Sequence, residues 1–162
     1  MPLHDASHDH PVATALTAVT VAEGAGLIGV PFTGSAREWY AELRKPSFAP
    51  PPEVFGPVWT ALYAMIGVAG WLVLRSPPSP QRKRALVLFG AQLALNAAWT
   101  PIFFGTRRKT LALVEIVVLW VALVATVRAF WRVRPLAAVL LLPYLAWVTF
   151  AAVLNGALVR LN

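Results

Sequence analysis

Residues 39–63 read WYAELRKPSFAPPPEVFGPVWTALY, and the change of character inside this stretch governs the reading of the chain on either side of it. Four prolines fall within residues 46–52. Each holds φ near about −65° and lacks a backbone donor, so the segment is expected to be extended and semi-rigid. From Pro57 the pattern turns apolar, with a proline in the first turn of a helix, where it is tolerated. Aromatics stand on both sides of the rigid piece: Trp39, Tyr40, Phe48, Phe55, Trp59 and Tyr63, with Arg44 and Lys45 among them. Flat faces beside cations suit a flat, apolar, anionic molecule. They equally suit an aromatic belt at a membrane–water interface.

The composition decides the medium. Of 162 residues, 58% are hydrophobic and 13% charged, the latter about half the share of a soluble domain, and mean hydropathy is +0.64. This is the profile of an integral membrane protein. The net charge of +7 does not point to nucleic acid, because the basic residues sit in short clusters between apolar runs rather than along one face. With no cysteine, a thiolate metal site and a cysteine nucleophile are excluded.

Outward from the proline-rich stretch, five apolar segments are each close to the ~20 residues that cross a hydrocarbon core. They are residues 11–33, 57–74, 85–105, 110–131 and 135–159, following a polar tail at 1–11. The expected fold is all-α: one five-helix membrane bundle over residues 12–162, with residues 34–56 as a loop over one end. His4, His8 and His10 with Asp5 and Asp9 lack preorganised geometry in such a tail, so no metal site is expected. Glu23 in the first segment must face the bundle, be protonated or reach headgroups. Ala25 and Gly29 have the small-residue spacing of close helix packing.

Gln92, Asn96, Trp99 and Phe103 follow one another at steps of four, three and four, a single helix stripe. Amides in lipid need partners, so this stripe faces protein, a polar ligand group, or both. Residues 75–84 are expected to be a basic, non-helical link, and residues 106–109 a tight turn. Glu115 is near enough to Arg107, Arg108 and Lys109 for an ion pair with them. Pro143 should kink the last span, along which Tyr144, Trp147, Ala151 and Leu154 share a face. Seven Lys and Arg fall on each side of the membrane in this topology, so charge counting sets no orientation.

The patterns WYxxLxKPxxxPP from Trp39 and VFxPVWxxLY from Val54 resemble the TspO/MBR family, the bacterial tryptophan-rich sensory proteins and the mitochondrial translocator protein. QLALNAAWTPIFFG from Gln92 and PYLAWVTFAAVLN from Pro143 are similar to it as well. The resemblance implies a five-helix bundle, usually a homodimer, that binds tetrapyrroles such as protoporphyrin IX and haem as ligands rather than as required cofactors. It implies a multi-pass protein of the lipid bilayer, here a bacterial cell membrane, with no nucleic-acid partner. By motif, the ligand-binding residues are Trp59, Asn96, Trp99, Trp147, Ala151 and Leu154, to which the aromatics around the rigid stretch add Trp39, Phe48, Phe55 and Tyr63. Family members commonly carry tryptophan where Phe48 and Glu53 stand. The last-helix tyrosine of the animal sterol motif is replaced by Gly156 and Ala157.

Sensing, carriage or disposal of porphyrin is thus the expected role, with Arg44 or Lys45 meeting the propionates. The alternatives are a sterol-like ligand, an ion-driven transporter using Glu23, or an enzyme degrading porphyrin in light and oxygen through Trp59 and Trp147. No general base or metal triad is in view for conventional turnover.

Overall fold

A computed structural model describes residues 34–162 of the chain. The expected tail, the first span, Glu23 and the Ala25–Gly29 spacing lie outside the described residues. The remainder is helical, with no strand among the described residues: α1 (Gly34–Glu42), a 3₁₀ turn (Pro52–Val54), α2 (Phe55–Leu74), α3 (Pro80–Thr100), a π turn (Pro101–Gly105), α4 (Lys109–Val133), α5 (Pro135–Leu140) and α6 (Leu142–Leu161). Four stretches are long and apolar enough to cross a membrane: Pro52–Leu74, Pro80–Gly105, Lys109–Val133 and Pro135–Leu161. The protein is an all-α, multi-pass membrane protein.

The helices begin and end for local reasons that correct three expectations. The link at 75–84 is shorter than its charges imply. Ser79 caps α3 by accepting the Arg82 N–H on its hydroxyl at 3.1 Å, and Pro80 occupies the first turn, so Arg82, Lys83 and Arg84 are already helical. The stretch at 34–56 is also not all loop, since Trp39 and Tyr40 ride on α1. The last span does bend, but at Leu141, two residues before Pro143. Pro143 has no N–H to return to the preceding turn, so Leu141 closes a tighter bond to Ala138 and the helix restarts at Leu142.

Between Pro46 and Pro51 the chain is extended apart from a turn closed by the Ala49 N–H on the Pro46 carbonyl. Pro51 has φ −58° and ψ 145°, the polyproline conformation.

Helix α4 is the hub, packing mainly on α3 and then on α6 and α5. Its buried stripe is Ala112, Glu115, Ile116, Leu119, Leu123, Thr126 and Phe130, whereas Val114, Val117, Val118 and Val121 are exposed, as a lipid-facing surface requires. Helix α2 packs against α5 and α3. Its Ile66, Ala69 and Val73 share a core with Ala137, Ala138 and Leu141. Gly70 lets α3 approach: a Cβ there would lie 2.7 Å from Cε1 of Phe89.

The Glu115 ion pair is not formed. Both carboxylate oxygens are buried without a partner among the described residues. Glu115 sits on the inward stripe of α4, about 9 Å up the helix from Lys109 at 1.5 Å per residue. Arg107 and Lys109 turn instead to the ring of Trp39, each 5.9 Å from its centroid.

Candidate ligand-binding site

Helices α2, α3 and α6 are joined at their centre by side chains that the stripe on α3 anticipates. The Tyr63 hydroxyl donates to Oδ1 of Asn96 at 2.6 Å, Nδ2 of Asn96 donates to the Tyr144 hydroxyl at 2.7 Å, and that hydroxyl donates to Oε1 of Gln92 at 3.0 Å. All four residues are buried. Asn96 therefore spends both ends of its amide on tyrosines, one from each facing helix. In a medium without water this chain is what makes two amides and two phenols tolerable at that depth.

Above this network the gap is filled by rings. Trp59 stacks on Tyr63 at 5.2 Å and meets Tyr144 and Trp147 edge-on at 6.2 and 6.5 Å. Trp147 is flanked by Phe55 at 5.7 Å and Phe150 at 5.4 Å, and Phe48 reaches Phe150 from the proline-rich loop at 6.3 Å. Phe48 remains 48% exposed, so this wall ends at the surface beneath the loop.

A second group of rings adjoins the first through Trp99, which contacts both parts of the core. Trp99 stacks on Phe103 at 4.9 Å, and Trp39 meets Phe103 at 5.5 Å and Phe104 at 6.5 Å. Leu154 is buried beside Phe103, with Trp39, Tyr40, Ala49 and Phe55 packed over them. Ala151, one turn beyond Trp147, lies against the first group. The ten residues expected to meet a ligand are thus distributed over two adjoining aromatic groups under one loop.

The loop cations are differently employed. Nζ of Lys45 donates to the carbonyls of Ala41 and Leu43 and sits 4.9 Å from the Tyr40 ring, closing the end of α1. Burial pushes the Tyr40 phenol up from its ordinary value. Arg44 is held by its backbone, which exchanges two hydrogen bonds with Asn162.

Phe104 and Phe150 belong to these groups and are absent from the sequence expectation. The signal for Phe104 is Pro101. The Thr106 N–H bonds the Pro101 carbonyl five residues back at 3.1 Å, and this wider π turn brings the adjacent Phe103 and Phe104 both to Trp39. Phe150 follows Trp147 by three residues and could have been found by helical spacing.

The model of the TspO/MBR family matches residues 16–161. The chain belongs to the TspO/MBR family. It is 46% identical over 131 residues to the human translocator protein, covering 80% of this chain and 78% of that protein. It is 43% identical over 139 residues to the tryptophan-rich protein TspO of Chlorobaculum tepidum, covering 85% and 88%. The tryptophan-rich sensory protein of Cereibacter sphaeroides is 43% identical over 125 residues, 77% of each chain. The family match, over residues 16–161, spans both aromatic groups and the loop above them.

Proposed function

We propose that this protein binds a tetrapyrrole, protoporphyrin IX or haem, against the wall formed by Trp59, Trp147, Phe55 and Phe48, and acts in its sensing, transport or disposal. The observation that carries the reading is the continuity of that wall from the buried Tyr63–Asn96 pair to the half-exposed Phe48. A flat macrocycle exchanges ring–ring contacts for contacts of the same kind, so entry costs little provided the loop lifts. Its propionates would then lie at the loop, where Arg44 offers a guanidinium. Lys45 is less suited, since its ammonium already closes α1. Relatives from two bacteria support a bacterial cell membrane as the setting, and a homodimer is the assembly that the family resemblance implies.

The test is a titration of purified protein with protoporphyrin IX in the dark, read by quenching of tryptophan fluorescence. Trp59→Ala should weaken binding by ~1–3 kcal/mol, the range for aromatic stacking on planar rings, and Trp59→Phe by less. Unchanged affinity in a folded Trp59→Ala protein would sink the proposal.

A further inference from the structure

Glu115 is the one buried acidic residue among the described residues, and the binding proposed above gives it no part. Its place on α4 is specific. Ala112, three residues before it, packs into the aromatic group around Phe103, whereas Ile116 and Leu119, one and four residues after it, belong to the core shared by Trp59 and Trp147. The carboxyl therefore stands at the seam between the two groups. From α3 the same seam is met by Trp99, which packs against both groups, and its indole N–H is buried without a partner among the described residues, as both Glu115 oxygens are. A donor and an acceptor left over on packed helices call for a cause other than packing.

No cation among the described residues serves this carboxyl. Helix α4 packs on α3, α5, α6 and the π turn. The π turn and α5 hold no ionisable group, and α3 holds Arg82, Lys83 and Arg84 only in its first turn, at the far end. Helix α6 holds Arg160, exposed on its last turn, and Tyr144, which is within range of the Glu115 charge but hydrogen-bonded to Asn96 and Gln92. On α4 itself Lys109 is turned to Trp39, with Arg107 beside it and Arg108 exposed, and Arg128 and Arg132 lie at the opposite end. From α1, Tyr40 packs over the second group.

We propose that Glu115 is a proton-binding site coupled to the aromatic site: it takes a proton from water as a tetrapyrrole is enclosed and returns it as the ligand leaves. The inference rests on the tetrapyrrole reading above. Trp39, Tyr40, Ala49 and Phe55 pack over the second group, so the loop movement that admits a ligand also brings water to the seam, where a carboxylate can be hydrated. Closure over a flat apolar macrocycle removes that water. A carboxylate with neither water nor a cation is far less stable than the neutral acid, so the closed complex keeps the proton. Glu115 acts through the hydration of the seam and need not touch the ligand.

The experiment titrates the full-length protein in nanodiscs, in the dark, with protoporphyrin IX dimethyl ester, whose esters remove the titrating propionates. Tryptophan quenching is read from neutral to mildly alkaline pH. Wild-type affinity should fall as pH rises, by up to about tenfold per pH unit, the limit for one coupled proton. Glu115→Gln, always neutral and of the same size, should bind as tightly as wild type does at the acid end and show no pH dependence. Glu115→Asp should restore the dependence. Infrared difference spectra on binding should gain the carbonyl band of a protonated carboxyl in wild type, shifted in Glu115→Asp and missing in Glu115→Gln. A flat wild-type profile overturns the proposal, as does an equal slope in Glu115→Gln or a carbonyl band that survives in it. Binding that is independent of pH in every protein would remove this inference alone, whereas no binding of the ester at any pH would remove it together with the aromatic-wall reading.

Discussion

Asn162 and Arg44, 118 residues apart in sequence, hold each other by two hydrogen bonds: the Asn162 carbonyl oxygen accepts the Arg44 N–H at 2.9 Å, and its amide nitrogen donates to the Arg44 carbonyl at 3.0 Å. The same nitrogen donates to the Leu158 carbonyl, which seats the amide on the last turn of α6. The covering loop is therefore clasped to the helix that carries Trp147 and Leu154. Asn162→Ala removes both bonds, at ~1 kcal/mol each. Hydrogen exchange at the Arg44 amide should accelerate by about 10- to 30-fold, with the exchange of α4 unchanged. Equal rates in the two proteins would show that the clasp does not hold the loop.

Replacing Asn96 tests the network on which the aromatic wall rests. Asn96→Leu keeps the volume but leaves the Tyr63 and Tyr144 hydroxyls without the amide that joins them. A loss of about 1–2 kcal/mol in stability is expected, each interhelical bond in a membrane protein being worth ~0.6 to 1.7 kcal/mol. Equilibrium unfolding in mixed micelles measures it. The loss should shrink in a Tyr63→Phe, Tyr144→Phe background, where no hydroxyl remains to be stranded, and a full loss there would assign the effect to packing instead.

Gly70→Ala should be costly although alanine favours helices. The new methyl would lie 2.7 and 2.8 Å from Cε1 and Cζ of Phe89, and that ring is backed by Phe130. Overpacking of this kind costs ~1–3 kcal/mol. Phe89→Leu in the same chain should recover most of it, as read by thermal unfolding, and no recovery would show that the strain lies elsewhere.

Light separates binding from porphyrin chemistry. If the protein only binds, the absorbance of bound protoporphyrin IX should fade under illumination no faster than in lipid alone, in wild type and in Trp59→Phe or Trp147→Phe alike. Phenylalanine keeps a flat apolar face but lacks an oxidisable indole. Faster, oxygen-dependent fading that both variants slow at saturating porphyrin would make the protein an enzyme, with the Trp59–Trp147 pair at 6.5 Å as its reactive element.

Much of this arrangement was legible in residue spacing, because the 3.6-residue period of a buried helix leaves few choices. Gln92, Asn96, Trp99 and Phe103 announce a face before any partner is known, and the structure puts that face inward. Hidden were the features set by contact between distant segments. Nothing local tells that Tyr144 will take an Asn96 proton, or that Asn162 will reach Arg44. Charge proximity along the chain misled for Glu115: Arg107 and Lys109 lie over the Trp39 ring, while the carboxylate is turned inward on the buried stripe of α4. The proline signal at Pro143 was right in kind and displaced in position, since the helix breaks at Leu141.

The bonds linking Tyr63, Asn96, Tyr144 and Gln92 all run in one sense, each donor handing its proton toward Gln92. An amide has a donor end and an acceptor end, so neither Asn96 nor Gln92 can rotate alone without setting two donors or two acceptors face to face. The chain therefore has two self-consistent settings, forward and reversed, and nothing between them. In the reversed setting Gln92 gives a proton to Tyr144, Tyr144 gives one to Asn96, and Asn96 gives one to the Tyr63 hydroxyl. A polar atom arriving beside Trp59 would favour one setting over the other, and the choice would be legible three hydrogen bonds away at Gln92. Three helices would then share a single binary variable, written at the aromatic wall and carried by protons.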